Sequence, residues 1–340
     1  MLCKLCQVRE ANKSNTHYLT DAIIRSCLNQ GGTQEREKGF YFDLSGSTPF
    51  SEFNFQRGTS VEKLKEALGR DLTDEEILNA KKIPFSVDYF FCSECEAIFT
   101  VIETDFIQNI LPLLRGVDLA NLKELQFKQI KIFRLFFLIQ IWRTATCVKY
   151  FEISDYSHEK IRRFILHYDE VSEDELKQFP LSIAYLETLG GDTEFTRNFV
   201  GYTSDKNPHI ILMNDFVIQF YESKEHIAFN ELYGLNDAKT FDKFINYNEE
   251  AFAVKILNDE ERKAFYSCFL EAEKVNYVIP FLIDKFKETW IGIFGVRPTI
   301  GLINQYIDYI INGNKYNILK YSMEDILERT SKFILYYLNK

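Results

Sequence analysis

Four of the seven cysteines in this 340-residue chain form two pairs of identical spacing, Cys3-Lys4-Leu5-Cys6 and Cys92-Ser93-Glu94-Cys95. A C-x-x-C turn places two thiolates on one side of an ion, and two such turns complete the sulfur tetrahedron that zinc prefers. The pairs therefore predict one structural zinc site, with Cys3, Cys6, Cys92 and Cys95 as its ligands, joining the N-terminus to a segment about ninety residues further on. Cys27, Cys147 and Cys268 sit in helical, mostly apolar contexts and are expected to be buried packing residues. An odd cysteine count, paired knuckles and no apolar run behind a basic start point to a reducing, cytoplasmic setting.

The surroundings of the knuckles carry a resemblance. His17 follows the first knuckle, and the second runs on as Phe91-Cys92-Ser93-Glu94-Cys95-Glu96-Ala97-Ile98-Phe99-Thr100-Val101-Ile102-Glu103. A further stretch, Ile141-Trp142-Arg143-Thr144-Ala145-Thr146, matches an "L-W-R-A-S"-like segment. Together they resemble the zinc-bearing treble-clef form of the HNH endonuclease family, and more narrowly a group of uncharacterised bacterial proteins with the pattern C-x-x-C, H, C-x-x-C-E. The resemblance covers residues 1 to about 170. It implies a knuckle, a hairpin carrying a histidine, and a second knuckle opening a helix. It also implies His17 as the general base that activates water and Glu96 as a ligand for magnesium or manganese. Thr100 and Glu103 fall on the family's positions. Elsewhere the pattern departs: Thr16 stands where an acidic residue usually precedes the histidine, Thr20 replaces a proline, Glu96 a histidine and Phe99 a lysine. A carboxylate can take the place of imidazole for a hard cation.

The formal net charge is −10, so a phosphate backbone would have to meet a local basic face. Between Lys123 and Arg163, nine basic residues stand against four acidic ones. Lys128, Lys131, Arg143, Arg162 and Arg163 are the candidate nucleic-acid contacts, while the competing reading makes these cations the wet face of an amphipathic helix. Arg162 to His167 also has the R-x4-H spacing of HEPN ribonucleases; a helix exposing Arg162 and Arg163 is preferred. His158, His209 and His226 are isolated and carry no role. The longest apolar stretch, Ile132 to Trp142, contains Arg134 and Gln140 and is shorter than the ~20 residues a membrane span requires, so no membrane partner is expected.

Several elements must position these groups. Residues 29–59 hold Gly31-Gly32, Gly39 and Ser45-Gly46-Ser47-Thr48-Pro49, which predict turns or an inserted loop. Ser60 to Asn79 has helical spacing with Ser60 as N-cap and a second start at Thr73. Val87 to Phe91 alternates like a strand, the pattern turns helical from Glu96, and Leu122 to Trp142 predicts one long core helix. Ile210–Met213 and Phe216–Tyr221 flank Asn214-Asp215 as a hairpin, Ala251–Leu257 predicts a strand, and Asp259–Lys340 is helical again. The expected class is α+β. Residues 1–105 would form a zinc-stabilised treble-clef (HNH-like) module, and residues 106–340 a mainly helical domain with a small antiparallel strand section near 210–221 and 251–257.

Two function classes follow. One is an interaction or nucleic-acid-binding module whose zinc clasp presents the chain to DNA, RNA or a partner protein. The other is a metal-dependent HNH-like nuclease that cuts DNA or RNA with His17 as general base. The resemblance places both in bacterial defence against phage or mobile DNA.

Overall fold

The structure is a computed structural model. It describes residues 1–27, 40–43, 52–55, parts of 61–77, 85–187 apart from 116 and 120, 199–321 apart from 204 and 205, and 323–339. The expected helix over Ser60–Asn79 and the turns of 29–59 therefore fall largely outside the described residues. The chain divides into two compact units, one made of Met1–Ser45 with Glu52–Ala264, the other of Gly46–Ser51 with Phe265–Lys340. The first unit thus runs without a break through the boundary expected near residue 105.

An eight-stranded mixed sheet organises the first unit. Its strands are β2 (Phe40–Asp43), β3 (Glu52–Phe55), β5 (Glu124–Phe127), β6 (Leu181–Leu186), β7 (Phe199–Tyr202), β8 (His209–Met213), β9 (Phe216–Phe220) and β10 (Phe252–Leu257). They lie in the order β3-β2-β7-β8-β9-β6-β10-β5. The β6–β10 and β2–β7 pairs are parallel and the rest antiparallel. The protein is therefore mixed α/β, with far more sheet than the small strand section the sequence suggests. Every residue of β6, β8 and β9 is buried, as in a sheet covered on both faces. Such strands show continuous apolar runs with no alternation, so Leu181–Leu186 gives no period-2 signal.

The expected hairpin is present. β8 and β9 join through Asn214 and Asp215, with Asn214 at φ 55°, the left-handed conformation a two-residue hairpin turn demands. The strand expected at Ala251–Leu257 is β10. The apolar run from Leu122 differs from expectation: its first part is β5, an edge strand paired antiparallel to β10, and the helix begins only at Ile130 and runs to Cys147. This central helix is buried nearly all round, from Phe133 through Thr144. Its Phe133 stacks on Phe252 of β10 at 4.9 Å between centroids, and Phe137 meets Phe216 of β9 at 5.7 Å. A second helix, Ser93–Asn109, opens at the second knuckle and stacks Phe106 on Phe136 of the central helix at 3.8 Å.

The second unit is helical. It contains most of the helix Asp259–Phe294, then Ile300–Ile311 and Met323–Leu338. Its own core gathers Phe286, Trp290, Tyr306, Ile310 and Phe333, with Phe286 stacked on Tyr306 at 4.1 Å.

Candidate metal centre and the polar cluster beside it

The first knuckle is a short loop closed by a bridge between Leu2 and Glu10. Cys3 donates its N–H to the Arg9 carbonyl at 2.8 Å, Gln7 donates to the Cys3 carbonyl at 2.9 Å, and Gln7 takes φ 58° to turn the chain. The second knuckle is a helix start, with Cys92 as extended N-cap and Cys95 in the first turn. There the helix's unpaired N–H groups and dipole favour negative sulfur. Backbone bonds strap the two together. Lys4 N–H reaches the Phe90 carbonyl at 2.9 Å, while Asn12 and Lys13 both donate to the Phe91 carbonyl at 3.1 Å.

All four sulfurs lie within 4.8 Å of one another, and Cys6 Sγ is 4.0 Å from Cys92 Sγ. A tetrahedral ion with metal–sulfur bonds of about 2.3 Å needs sulfurs roughly 3.8 Å apart, so the group is close enough to hold one metal ion. The donor set also asks for a cation. Without one the thiols compete for protons: hydrogen bonding from Cys95 pulls Cys3 down to about 4, while the same contact drives Cys95 upward. Cys3, Cys92 and Cys95 are buried and Cys6 is half-buried, leaving a mostly enclosed site.

Beside this group lies a buried polar cluster. β1 (Thr16–His17) pairs antiparallel with β4 (Ser86–Val87), setting His17 opposite Ser86. Of the strand expected over Val87–Phe91 only Val87 belongs to β4, because Tyr89 turns the chain at φ 61° before Cys92. His17 Nε2 lies 3.9 Å from Asp21 Oδ1, and the His17 carbonyl accepts from Arg143 Nη1 at 3.0 Å. Arg143, which donates to the His17 carbonyl, also acts electrostatically on Glu96. Glu96 Oε1 is buried with no hydrogen-bond partner among the described residues. Burial raises the Glu96 carboxyl above its ordinary range, with Arg143 and Thr16 opposing the shift and Glu103 adding to it.

Arg143 is the hub. It is 2% exposed, its Nη2 pairs with Glu103, and its guanidinium lies 5.1 Å over the Phe99 ring. Thr20 donates from its hydroxyl to Glu103 at 2.7 Å and accepts from Gln140 Nε2 at 2.8 Å, and its N–H donates to Gln140 Oε1 at 3.0 Å. Glu103, Thr20 and Gln140 carried no role in the sequence reading. Their signal was Gln140 and Arg143 interrupting an otherwise apolar helix, since buried polar groups on such a helix require partners.

The five candidate nucleic-acid contacts lie in different settings. Arg143 is committed inside. Arg162 is 11% exposed on its side chain, pairs with Glu159 and donates to the Leu5 carbonyl of the first knuckle, so it tethers the clasp and does not face solvent as expected. Arg163, 67% exposed, shares Glu159 at 2.8 Å. Lys131 donates to the Asp169 carbonyl at 2.9 Å, and Lys128 is exposed. His167 caps the C-terminus of the helix Asp155–Leu166 and lies 3.7 Å from Glu170. Of the cysteines outside the knuckles, Cys147 is half-buried with its thiol pushed up to about 12, chiefly by burial. Cys268 is exposed, contrary to the expected packing role, and the side chain of Cys27 lies outside the description.

Among the described residues no helix is long and apolar enough to cross a membrane. No family model, no curated protein and no solved structure matches this chain.

Proposed function

We propose that the four-cysteine group holds one structural zinc ion and that the protein is a zinc-clasped interaction module, its partner a protein surface. Zinc suits a closed tetrathiolate site and supplies folding energy there. The observation that carries the reading is Arg143. A one-metal nuclease needs an open, carboxylate-lined place for a divalent ion. Beside His17 and Glu96 a buried guanidinium already neutralises Glu103 and is locked by the His17 carbonyl. A second cation introduced there meets like charge at close range. The net charge of −10 and the internal commitments of Arg143 and Arg162 weigh against a nucleic-acid partner.

A second reading keeps the HNH-like nuclease, in the treble-clef setting the resemblance implies, with His17 as base and Glu96 as ligand for magnesium or manganese. The partnerless Glu96 Oε1 favours it. One assay decides between them: cleavage of DNA and RNA by the wild-type protein, His17→Ala and Glu96→Ala, each shown to hold its metal. The interaction reading expects no cleavage with either divalent ion. Cleavage that falls ~10²–10⁴-fold in His17→Ala would overturn it. In the same case, cleavage by Glu96→Ala would recover with added metal.

A further inference from the structure

We infer that the helix Met323–Leu338 is a self-association surface, pairing antiparallel with the same helix of a second copy of this chain. One face of this helix is buried through Ile326, Phe333 and Ile334. Adjoining that face, Leu327, Leu335 and Leu338 are 61%, 52% and 50% exposed, and Ser331 between them is exposed as well. Leu327, Ser331 and Leu335 follow one another at spacings of four, so they form a single stripe along the helix.

The stripe suits a second copy because it is symmetric about Ser331. An isologous pair with its two-fold axis at Ser331 sets Leu327 of each copy against Leu335 of the other. The small serine at the crossing lets the helices approach to the ~8–10 Å of packed pairs. The charges agree. Glu328 and Lys332 lie on one flank of the stripe and pair within the helix at 2.6 Å. In an antiparallel pair, residues on the same flank meet, so Glu328 of each copy faces Lys332 of the other. A parallel pair would instead put the two copies of this flank on opposite sides of the seam, so the exchange between Glu328 and Lys332 would be lost. The seam ends where Leu338 meets Glu324, which lies in the wet rim.

A seam of about sixteen residues is small for a stable interface, so the dimer should be reversible and visible over ~1–100 µM. The weight-average mass of the full chain, measured by sedimentation across that range, should rise from monomer toward dimer. Leu335→Asp should raise Kd by about tenfold or more, with the circular dichroism spectrum unchanged because the position is exposed. Glu328→Lys and Lys332→Glu should each weaken the dimer, and the double exchange should restore it. Ser331→Cys should oxidise to a covalent dimer above the background that wild type gives through its exposed Cys268. Glu324→Cys should not, because its two copies would stand ~20 Å apart along the seam. A monomer at every concentration would overturn the proposal. So would a dimer indifferent to Leu335→Asp, or equal cross-linking at positions 324 and 331.

Discussion

Arg143 shows why a buried cation is costly to remove even when it adds little as part of a pair. Taking a guanidinium and a carboxylate out of water consumes most of their attraction, yet deleting one partner strands the other. Arg143→Ala should therefore destabilise the protein by ~3–5 kcal/mol, because Glu103 loses its ion pair and Glu96 the cation that most favours its charged form. Arg143→Ala combined with Glu103→Ala should cost less than the sum of the two single changes. Urea denaturation of the two single variants and the double one gives this coupling directly; additive losses would show that the pair does not act as a unit. Glu222 makes a pH prediction at the same scale. Burial pushes its carboxyl up, but hydrogen bonds from His209, Ser154 and Ser157 outweigh burial and hold it at about 2. A carboxylate depressed on folding stabilises the protein above its unfolded value and loses that contribution as pH falls toward the folded one. Wild type should thus lose on the order of 2–3 kcal/mol more than Glu222→Gln between pH 6 and pH 2. Parallel stability curves for the two proteins would refute the assignment.

At the scale of elements, what could be read from the chain tracks how each segment meets water. The β8–β9 hairpin was legible because Asn214-Asp215 punctuates two apolar runs, and β10 because β-branched and aromatic residues bound a short run. β5 was not. Glu124–Phe127 passes into Ile130 with no glycine or proline between, so periodicity alone merges strand and helix into one element. β6 was hidden by complete burial. In the candidate site, the cysteines declared themselves by spacing, whereas Thr20, Gln140 and Glu103 are brought together only by tertiary contacts between residues up to 120 apart in sequence. The helix Asp155–Leu166 was legible as a helix, but the inward turn of Arg162 toward the Leu5 carbonyl was not. That contact predicts a split between neighbours. Arg162→Ala should speed amide exchange through residues 3–10 and cost ~1–2 kcal/mol by orphaning a knuckle carbonyl. Arg163→Ala, at an exposed position, should stay within ~0.5 kcal/mol. Equal effects at the two positions would mean that the tether does not hold the first knuckle.

For the whole molecule, the clasp cannot be separated from the sheet. Cys3, Cys92 and Cys95 belong to the same buried cluster as Phe91, Phe99, Trp142, Ile183, Ile211 and Val254, so the four-cysteine group is continuous with a core that extends into β6, β8 and β10. The helical second unit has a buried cluster of its own, from Val275 to Ile334. Metal loss should therefore strike the two units unequally. Elemental analysis should return about one zinc per chain. A strong chelator, or Cys95→Ser, should then lower the melting transition of the first unit, by about 2–4 °C for each kcal/mol of metal-binding energy withdrawn from folding. Amide protection should fall across β6, β8 and β10 together, since strands sharing one core open as one unit. Protection in Ile300–Ile311 and Met323–Leu338 should hold, because those helices pack into a separate buried cluster. Exchange confined to the two knuckles after chelation would show that the sheet stands without the clasp. A chain that carries no metal and keeps both transitions would remove zinc from the account of how this protein folds.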